Sequence, residues 1–358
     1  MTVSPYRIDL AGRSVVVVGG DGPALGHIAE LIGAGAKVTV VAETVVATVE
    51  DLAERGLLRW KQHAYTVGDL DYMWLAVAAT SNPILNASIA LEAEARRILT
   101  VRVDAPQSLP ADRSPGLGKV TLVGGGPGDP GLLTIAGKEA IEDAEIIITD
   151  RLAPLAALRW ARSDAQIIDV AKVPGGRSTS QEEINELLVK HAKAGKNVVR
   201  FKGGDNFVFG RGGEELIACL EAGIEAHVIP GISSAIAAPA AVNIPVTHRG
   251  VNQAFTVISG HVPPGHPEST LDYAALARSG SSLVLLMAVR TLPAIAVALI
   301  EGGLDPDTPA AIIADGALPS QKVVRATIGT IAEAARAAHI EAPAVTIIGG
   351  VASIDGLR

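Results

Sequence analysis

Short runs of β-branched residues alternate with amphipathic segments along nearly the whole chain, and this alternation constrains the fold more than any other feature. Two segments in the first hundred residues, Ala24–Ala34 and Ile84–Ala95, have helical periodicity. The runs around them that have the length and composition of buried strands are Ser14–Val18, Lys37–Val41, Trp74–Ala78 and Ile98–Val101. Strands separated by helices predict a parallel sheet with right-handed crossovers, so we expect an α/β fold that begins with a Rossmann-like sheet.

The alternation stops in a connector at residues 104–118, which is rich in proline, glycine and polar side chains, and it resumes at Lys119–Val123. A chain of 358 residues is also longer than one ordinary domain. We therefore predict two domains, residues 1–113 and residues 118–358, with the boundary near Ser114–Leu117.

The second domain repeats the strand–helix pattern, and a hinge near Pro239–His248 is predicted to divide it into lobes of about residues 118–240 and 241–358. Its clearest helix is Gln181–Ala194. The predicted strands are Glu145–Thr149, Gln166–Val170, Asn197–Phe201, Ala254–Ser259, Ser282–Ala288, Pro309–Ala314, Lys322–Thr327 and Ala344–Ile348. Because Lys322–Thr327 follows a turn rather than a helix, we expect antiparallel strands in the last sheet.

Composition narrows the classes of function. The chain has 30 basic and 38 acidic residues, a net charge of −8 and no block of Lys or Arg, so a nucleic-acid partner is not expected. A single cysteine, Cys219, fits a reducing compartment and is expected to be a buried apolar side chain. No apolar run has the length of a membrane span, which predicts a cytoplasmic protein without a membrane partner. His261 and His266 lie beside prolines without metal-ligand spacing, so we predict no metal site.

The first glycine-rich loop follows a predicted strand and opens a helix, which is the context of a dinucleotide fingerprint. Glu43 lies 23 residues after Gly20 and is placed to accept a ribose hydroxyl. The candidate NAD-binding residues are Gly20, Gly22, Pro23, Glu43 and Thr44. Leu25 stands where a third glycine or alanine is expected, and Asp21 puts a negative side chain in the loop. Two interpretations stay open, a nucleotide site and a retained α/β turn.

Two further glycine-rich loops follow strands in the second domain. Residues 124–131 read Gly-Gly-Gly-Pro-Gly-Asp-Pro-Gly, a stiff turn whose aspartate favours a neutral or cationic ligand over a phosphate. Residues 202–215 contain five glycines between positions 203 and 213, and no Gly-Lys-Ser/Thr follows them, so this is not a P-loop. So much backbone freedom is rarely lost without a closely approached ligand, although a tight turn is the simpler alternative.

These loops resemble those of the tetrapyrrole methylases. The resemblance includes Gly-Gly-Gly-Pro-Gly-Asp-Pro, Thr149–Leu152, Lys-Gly-Gly-Asp, Phe-Gly-Arg-Gly-Gly-Glu-Glu, Pro230–Ser234 and Ile244–Arg249, in order, over residues 118 to about 351. Within that family the sequence is most similar to the uroporphyrinogen-III C-methyltransferases. Residues 8–107 resemble the amino-terminal dehydrogenase/chelatase domain of siroheme synthases, including Val103-Asp104-Ala105-Pro106.

The resemblance implies S-adenosylmethionine bound in a cleft between two α/β lobes and methyl transfer to two pyrrole carbons of uroporphyrinogen III, giving precorrin-2 for siroheme or cobalamin biosynthesis. It also implies a homodimer. The residues matched to cofactor contacts are Pro127, Gly203, Gly204, Asp205, Val208, Ser233, Ser234, Met287 and Gly316. Asp150 would accept a proton and Lys172 would donate one; the alternatives are a helix cap for Asp150 and a surface ion pair for Lys172.

The substrate has many carboxylates, and basic side chains near the loops are candidates to bind them. These candidates are Arg151, Lys202, Arg211, His248 and Arg249, each with a solvated surface charge as the alternative.

The sequence departs from the family pattern in two places. Asn206 replaces the proline that usually follows Lys-Gly-Gly-Asp, and we expect it to loosen the loop. In the first domain Asp21 replaces a glycine, and the long helical segment that follows this domain in siroheme synthases is missing. Asp104, matched to the aspartate that abstracts a proton in those enzymes, marks a candidate second site.

The main hypothesis is a methyltransferase with a reduced first domain. The alternatives are a bifunctional enzyme that also oxidises precorrin-2 with NAD and inserts iron, and a binding module without catalysis.

Overall fold

The computed structural model describes residues 8–103, 116–171 and 179–354. Within these residues the strands form three five-stranded sheets. The chain divides into two compact units, one of Met1–Gly125 with Pro130–Gly231 and one of Gly126–Asp129 with Ile232–Arg358. Ser114 and the residue after it, half of the predicted domain boundary, lie outside the described residues, so the boundary and the division of the second domain at residue 240 stay predictions.

The first sheet is parallel throughout and has the strand order β3-β2-β1-β4-β5. Its strands are β1 (Ser14–Val18), β2 (Lys37–Val41), β3 (Arg59–Lys61), β4 (Leu75–Ala78) and β5 (Leu99–Arg102). Its helices are α1 (Gly22–Gly33), α2 (Ala47–Glu54) and α3 (Pro83–Ala95). Parallel pairing with helical crossovers confirms the predicted Rossmann-like α/β fold, and β1 and β2 have the predicted bounds. The sequence prediction missed the short edge strand β3.

The second sheet is also parallel, with the order β10-β6-β9-β7-β8. Its strands are β6 (Lys119–Gly124), β7 (Ile146–Thr149), β8 (Gln166–Asp169), β9 (Val198–Lys202) and β10 (Glu225–Ile229). Its helices are α4 (Ile135–Asp143), α5 (Gln181–Lys193) and α6 (Gly212–Glu221), and a 3₁₀ segment spans Leu155–Trp160. Helix α5 begins with a capping box in which Ser180 and Glu183 satisfy each other's backbone N–H groups, which explains its sharp start.

The third sheet, in the second unit, is mixed and has the order β11-β12-β15-β13-β14. Its strands are β11 (Phe255–Ser259), β12 (Ser282–Leu286), β13 (Pro309–Ala314), β14 (Lys322–Thr327) and β15 (Ala344–Ile348). Its helices are α7 (Ser234–Ala240), α8 (Tyr273–Arg278), α9 (Leu292–Glu301) and α10 (Ile331–Ala337). Strand β14 pairs antiparallel with β13, and β15 pairs antiparallel with both β12 and β13, which confirms the prediction of antiparallel strands.

In the first unit, the first and second sheets share one hydrophobic core. Helix α1 contributes Leu25 and Ile28, both completely buried, to a cluster that also contains Val17 of β1 and Ile147 of β7. Leu158 of the 3₁₀ segment belongs to the same cluster. Each large aliphatic side chain buried in this way contributes about 1.5–3 kcal/mol. The amino-terminal sheet is therefore packed on the second sheet through α1.

Two kinds of feature are absent from the described ranges. No helix there is long and apolar enough to cross a membrane. Nor do residues 8–103, 116–171 and 179–354 bring three or more His, Cys, Asp or Glu side chains together as a metal site.

Candidate active site

The carboxyl ends of the five parallel strands of the second sheet lie at one edge, which we call the carboxyl edge. In open α/β sheets this edge is where ligands bind, because the loops that follow the strands meet there. Asp150 follows β7, Asp169 ends β8, and the Lys-Gly-Gly-Asp turn begins at the end of β9. The fold thus brings together residues that are distant in sequence.

Three glycine backbones meet at this edge, after β6, β9 and β10. A Cβ atom on Gly231 would overlap the carbonyl oxygen of Gly204 and would lie 2.5 Å from the carbonyl of Gly124. Gly204 also has φ of +67°, a conformation that favours glycine. These positions require glycine because the loops approach each other closely, so two of the predicted cofactor residues, Gly203 and Gly204, lie in a turn with little freedom.

The carboxylate of Asp205 holds this turn in place. Its Oδ1 accepts hydrogen bonds from the backbone N–H groups of Phe207 at 2.9 Å and Val208 at 3.2 Å. Its Oδ2 accepts one from the N–H of Gly231 at 3.2 Å. The carboxylate therefore links the loop after β9 to the loop after β10. The side chain of Val208, a predicted cofactor contact, is 38% exposed.

Asn206 tightens the loop, and the expectation that it would loosen it is wrong. Its side chain is completely buried. The side-chain amide donates to the carbonyl oxygens of Leu122 at 3.3 Å and Ile229 at 2.9 Å. These two carbonyls belong to β6 and β10, so Asn206 joins neighbouring strands, a function that proline could not perform.

Asp150 is held by two groups at the carboxyl edge. Its Oδ2 accepts a hydrogen bond from Nη2 of Arg200 at 3.1 Å, and its Oδ1 accepts one from the N–H of Leu152 at 3.1 Å. The side chain is 25% exposed. An ion-paired carboxylate that stays open to solvent can accept a proton and also fixes the turn that follows it. The bond to the N–H of Leu152 agrees with part of the capping alternative, and the proton-accepting role stays a prediction.

Behind Asp150 lies a buried cluster of charges. The carboxylate of Glu215, which is completely buried, accepts from Nε of Arg200 at 3.0 Å and from Nζ of Lys202 at 2.7 Å. Burial would raise the pKa of Glu215, but the two cations outweigh it and hold this pKa below its usual value. Burial, assisted by the charge of Arg200, lowers the pKa of Lys202. Arg200 keeps a raised pKa because Asp150 and Glu215 both favour its charge.

The basic residues predicted to bind substrate carboxylates lie in different settings. Lys202 is only 4% exposed and is bound to Glu215, so it is not available to a substrate and we withdraw it from the site. Arg151 contacts both carboxylate oxygens of Asp51 at 3.3 Å. Arg211 is exposed and donates to Glu214 from Nε at 2.8 Å and from Nη2 at 2.6 Å. Two predicted catalytic residues, Lys172 and Asp104, lie outside the described residues.

The second unit contains the remaining predicted cofactor residues. Met287 follows β12 and Gly316 follows β13, two strands that run in the same direction on either side of β15, so both residues lie at one edge of the third sheet. Met287 is 49% exposed and has φ of +57°, an uncommon conformation for a non-glycine residue. A Cβ on Gly316 would lie 2.6 Å from the Cβ of Ala238, so this position requires a residue without a side chain.

The other predicted residues of the second unit lie in turns and at a helix start. Ser233 caps α7 by accepting a hydrogen bond from the N–H of Ala235 at 3.3 Å, and Ser234 is the first residue of that helix. Pro127 is half-buried, and His248 and Arg249 are exposed. All five therefore have backbone or side-chain groups at the surface of their unit.

The glycines of the first glycine-rich loop make close contacts with protein atoms. A Cβ on Gly20 would overlap the side chain of Val45, and one on Gly22 would overlap the carbonyl oxygen of Ile167 in β8. Contacts with protein atoms are therefore enough to explain why both positions are glycine. Pro23 removes one N–H from the helix start. Glu43 and Thr44 are exposed, as a ribose contact requires, so these five residues stay predicted contacts of NAD.

Sequence analysis missed several residues that support this region. Arg200 and Glu215 form the buried cluster, while Thr48 and Asp51 of α2 contact the carboxyl edge of the second sheet. The one visible signal was Arg200, a charged residue between the apolar residues Val199 and Phe201 of β9, where a buried cation needs a partner.

Comparison with known proteins agrees with this arrangement. The family model described as Tetrapyrrole (Corrin/Porphyrin) Methylases matches residues 119–332, and the model described as Putative NAD(P)-binding matches residues 7–109. The S-adenosyl-L-methionine-dependent uroporphyrinogen III methyltransferase of Methanosarcina barkeri is 46% identical over 240 residues, covering 67% of this chain and 94% of the relative. A structure of uroporphyrin-III C-methyl transferase from Thermus thermophilus, complexed with S-adenyl homocysteine, has a TM-score of 0.55 and 35% identity, covering 65% of this chain and 98% of that one.

A second kind of relative extends over both domains. The siroheme synthase of Zymomonas mobilis is 33% identical over 452 residues, covering 99% of this chain and 95% of the relative. The alignment is longer than the 358 residues of this chain, so a substantial part of the relative has no counterpart here. Since the methylase model covers more than half of the chain and this relative is aligned over nearly its full length, the chain belongs to the tetrapyrrole methylase family.

Proposed function

We propose that this chain catalyses the S-adenosylmethionine-dependent methylation of uroporphyrinogen III at two pyrrole carbons and so produces precorrin-2. The observation that carries the proposal is the 46% identity, over 94% of its length, to a relative named for this reaction. The rigid glycine turn and the partly exposed carboxylate of Asp150 support it, because a fixed backbone turn and a proton acceptor lie at the same edge of the sheet.

In the first unit, the glycine turn after β9 is the proposed cofactor contact. Gly203, Gly204 and Asp205 form a rigid turn whose exposed neighbour Val208 offers an apolar contact to the bound cofactor. S-adenosylmethionine, when bound, would supply an electrophilic methyl group. Methyl transfer depends mainly on in-line positioning of the reacting atoms, and a turn with fixed backbone geometry serves that purpose.

Asp150 is the group that we propose accepts the proton lost by the methylated pyrrole carbon. Arg200 keeps its carboxylate oriented through one oxygen, and the 25% exposure of the side chain leaves access for substrate. Lys172 stays a candidate proton donor. Pro127, Ser233, Ser234, Met287 and Gly316 stay candidate cofactor contacts, and Arg151, Arg211, His248 and Arg249 stay candidate partners for the substrate carboxylates.

The experiment is an anaerobic incubation of purified protein with uroporphyrinogen III and S-adenosylmethionine, followed by mass spectrometry of the tetrapyrrole. We expect a doubly methylated product from the wild type and from Asp164→Asn, a change of an exposed aspartate that lies in the turn before β8 and pairs with Arg162. Asp150→Asn should lose turnover while retaining S-adenosylhomocysteine binding in a calorimetric titration. Unchanged turnover in Asp150→Asn would remove this residue from the mechanism, and an unmethylated tetrapyrrole with wild-type protein would refute the proposed function.

The second candidate function is a bifunctional siroheme synthase that also dehydrogenates precorrin-2 with NAD, with or without iron insertion. The observation that favours it is the alignment of nearly the whole chain to a protein named siroheme synthase, together with the NAD(P)-binding model over residues 7–109. The contacts of Gly20 with Val45 and of Gly22 with Ile167 weaken it, because they explain these glycines without a bound nucleotide. Adding NAD to the methylated product separates the two candidates, since only the bifunctional enzyme would form sirohydrochlorin and NADH.

The assembly proposed for the chain is a homodimer. Sedimentation equilibrium should give twice the chain mass of 36.7 kDa, and a mass of one chain at micromolar concentration would contradict it.

A further inference from the structure

The face of the amino-terminal domain that would receive a dinucleotide lies against the second sheet. Besides the contact of Gly22 with Ile167, a Cβ on Gly26 would lie 3.3 Å from both the N of Arg159 and the Cβ of Leu158. Helix α1 therefore lies with its glycine-containing side directly on the 3₁₀ segment Leu155–Trp160. A helix that approaches so closely over more than one turn forms a fixed contact, because no side chain separates the two backbones.

Helix α2 makes a second contact with this sheet, at the end of β8. The carboxylate of Asp169 accepts hydrogen bonds from the N–H and from the hydroxyl of Thr48, both at 3.0 Å. Thr48 lies in the first turn of α2, and the residue at the cap position, Val46, provides no side-chain acceptor. Asp169 therefore performs the capping that α2 lacks, from a position 121 residues away in sequence.

A third contact lies one turn further along α2. The carboxylate of Asp51, which is 8% exposed, contacts Nη1 of Arg151 through both oxygens at 3.3 Å. Arg55 on the same helix lies 3.8 Å from that carboxylate. A mostly buried ion pair between two domains is costly to separate, since either partner alone would leave a buried charge.

Both contacts lie beside Asp150. Arg151 is the next residue in the chain, and Asp169 ends the strand adjacent to β7. Burial raises the pKa of Asp169, and the negative charge of Asp150 adds to this rise. Helix α2 thus holds the end of β7 and the end of β8 at the same time, on either side of the proposed proton acceptor.

We propose that the amino-terminal domain is a positioning element of the methylase, in which Thr48 and Asp51 of α2 fix the Asp150 turn and the former dinucleotide face is closed against the second sheet. This inference rests on the proposed function for the role of Asp150. Thr48 and Asp51 are positioning residues because they act through Asp169 and Arg151 and contact no reacting atom. The domain that reads as a nucleotide-binding module would then serve methyl transfer without binding a nucleotide.

The test compares Asp51→Asn and Thr48→Val with Glu50→Gln, an exposed residue of the same helix that serves as the matched control. Misplacement of a catalytic group by about 1 Å costs up to roughly a hundredfold in rate. We expect kcat to fall about tenfold in Asp51→Asn, equivalent to about 1.4 kcal/mol, with S-adenosylhomocysteine affinity within about twofold of wild type. Asp51→Glu, which restores the carboxylate, should recover part of kcat. Equal kcat in Asp51→Asn, Thr48→Val and Glu50→Gln would overturn the proposal.

Hydrogen exchange provides a measurement that does not need turnover. Peptides that cover residues 149–160 should exchange faster in Asp51→Asn and Thr48→Val than in Glu50→Gln, because opening of the α2 contact frees the turn. Identical exchange in the three variants would overturn the inference even if the enzyme methylates its substrate. If wild-type protein transfers no methyl group, the proposed function fails, and the exchange result still decides whether α2 fixes this turn.

The proposal that the dinucleotide face of the amino-terminal domain is closed is tested by titration with NADH. Titration of wild-type protein should give no saturable change in NADH fluorescence up to about 1 mM, a Kd equivalent to only about −4 kcal/mol. Saturable binding at micromolar NADH would show that the face is open and would overturn that part of the proposal.

Discussion

Glutamine at position 215 should destabilise the protein far more than its conservative shape suggests. The carboxylate of Glu215 is completely buried and faces the guanidinium of Arg200 at 3.0 Å and the ammonium of Lys202 at 2.7 Å. Glu215→Gln keeps the side-chain volume but removes the negative charge, so Lys202 loses the partner that compensates its burial. Removing one partner of a buried ion pair costs about 3–5 kcal/mol, and we expect a loss of that size in the free energy of unfolding.

The neighbouring residue provides the control. Glu214 is 52% exposed and pairs with Arg211 on the surface, where such pairs contribute about 0–1 kcal/mol, so Glu214→Gln should change little. Urea unfolding of the two variants, followed by circular dichroism, gives the comparison directly. If Glu215→Gln were no less stable than Glu214→Gln, the buried charge cluster could not be arranged as described.

The carboxylate of Glu215 also makes the stability of the protein depend on pH. The pKa of Glu215 is lowered below its ordinary value of 4.5 in the folded protein, so its stabilising contribution is complete above pH 4.5 and is lost as the pH falls toward the folded value. The stability difference between wild type and Glu215→Gln should therefore narrow below pH 4.5. If the stability difference between wild type and Glu215→Gln stayed constant down to the pH of acid unfolding, the charge of Glu215 would not contribute to stability.

Three further predictions test other parts of the structure. In Gly22→Ala the new methyl group would overlap the carbonyl of Ile167, so we expect the free energy of unfolding in urea to fall by about 1–3 kcal/mol. Gly33→Ala, in open space at the other end of α1, should leave the stability unchanged or raise it. Equal effects of the two substitutions would contradict the close contact. Gly231→Ala should weaken the binding of S-adenosylhomocysteine measured by calorimetry. Gly213→Ala should not weaken it, because a Cβ at position 213 has no atom within 4 Å. Equal affinities in the two variants would show that the glycine turn is not near the cofactor. Burial raises the pKa of the Cys219 thiol to about 11, so the native protein should not react with a thiol reagent at pH 8. Rapid labelling of Cys219 without denaturant would refute the burial of this side chain.

Local sequence patterns predicted the sheets well. Strands β1, β2, β13, β14 and β15 have the predicted bounds. Each contains a short run of Val, Ile or Thr and is bounded by glycine, charged residues or turns. The antiparallel pairing of β14 was also predictable, since no helix separates it from β13. These features depend on neighbouring residues, which a sequence displays directly.

Features that depend on distant partners were not predictable. Asp169 and Thr48 are 121 residues apart, and nothing in either segment marks their hydrogen bonds. Lys202 reads as a substrate-binding cation beside a glycine turn, but its position inside β9 turns it toward Glu215. The glycines at positions 20 and 22 read as a phosphate loop, because the pattern shows that something lies close to the backbone and cannot show whether it is ligand or protein.

One reaction tests the central claim most directly. Wild-type protein is incubated anaerobically with uroporphyrinogen III, S-adenosylmethionine carrying an isotopically labelled methyl group, and NAD, while the product mass and the NADH absorbance are followed together. The account predicts a tetrapyrrole with two labelled methyl groups and no NADH. A tetrapyrrole that acquires no label, in the presence of protein shown to be folded, would contradict it.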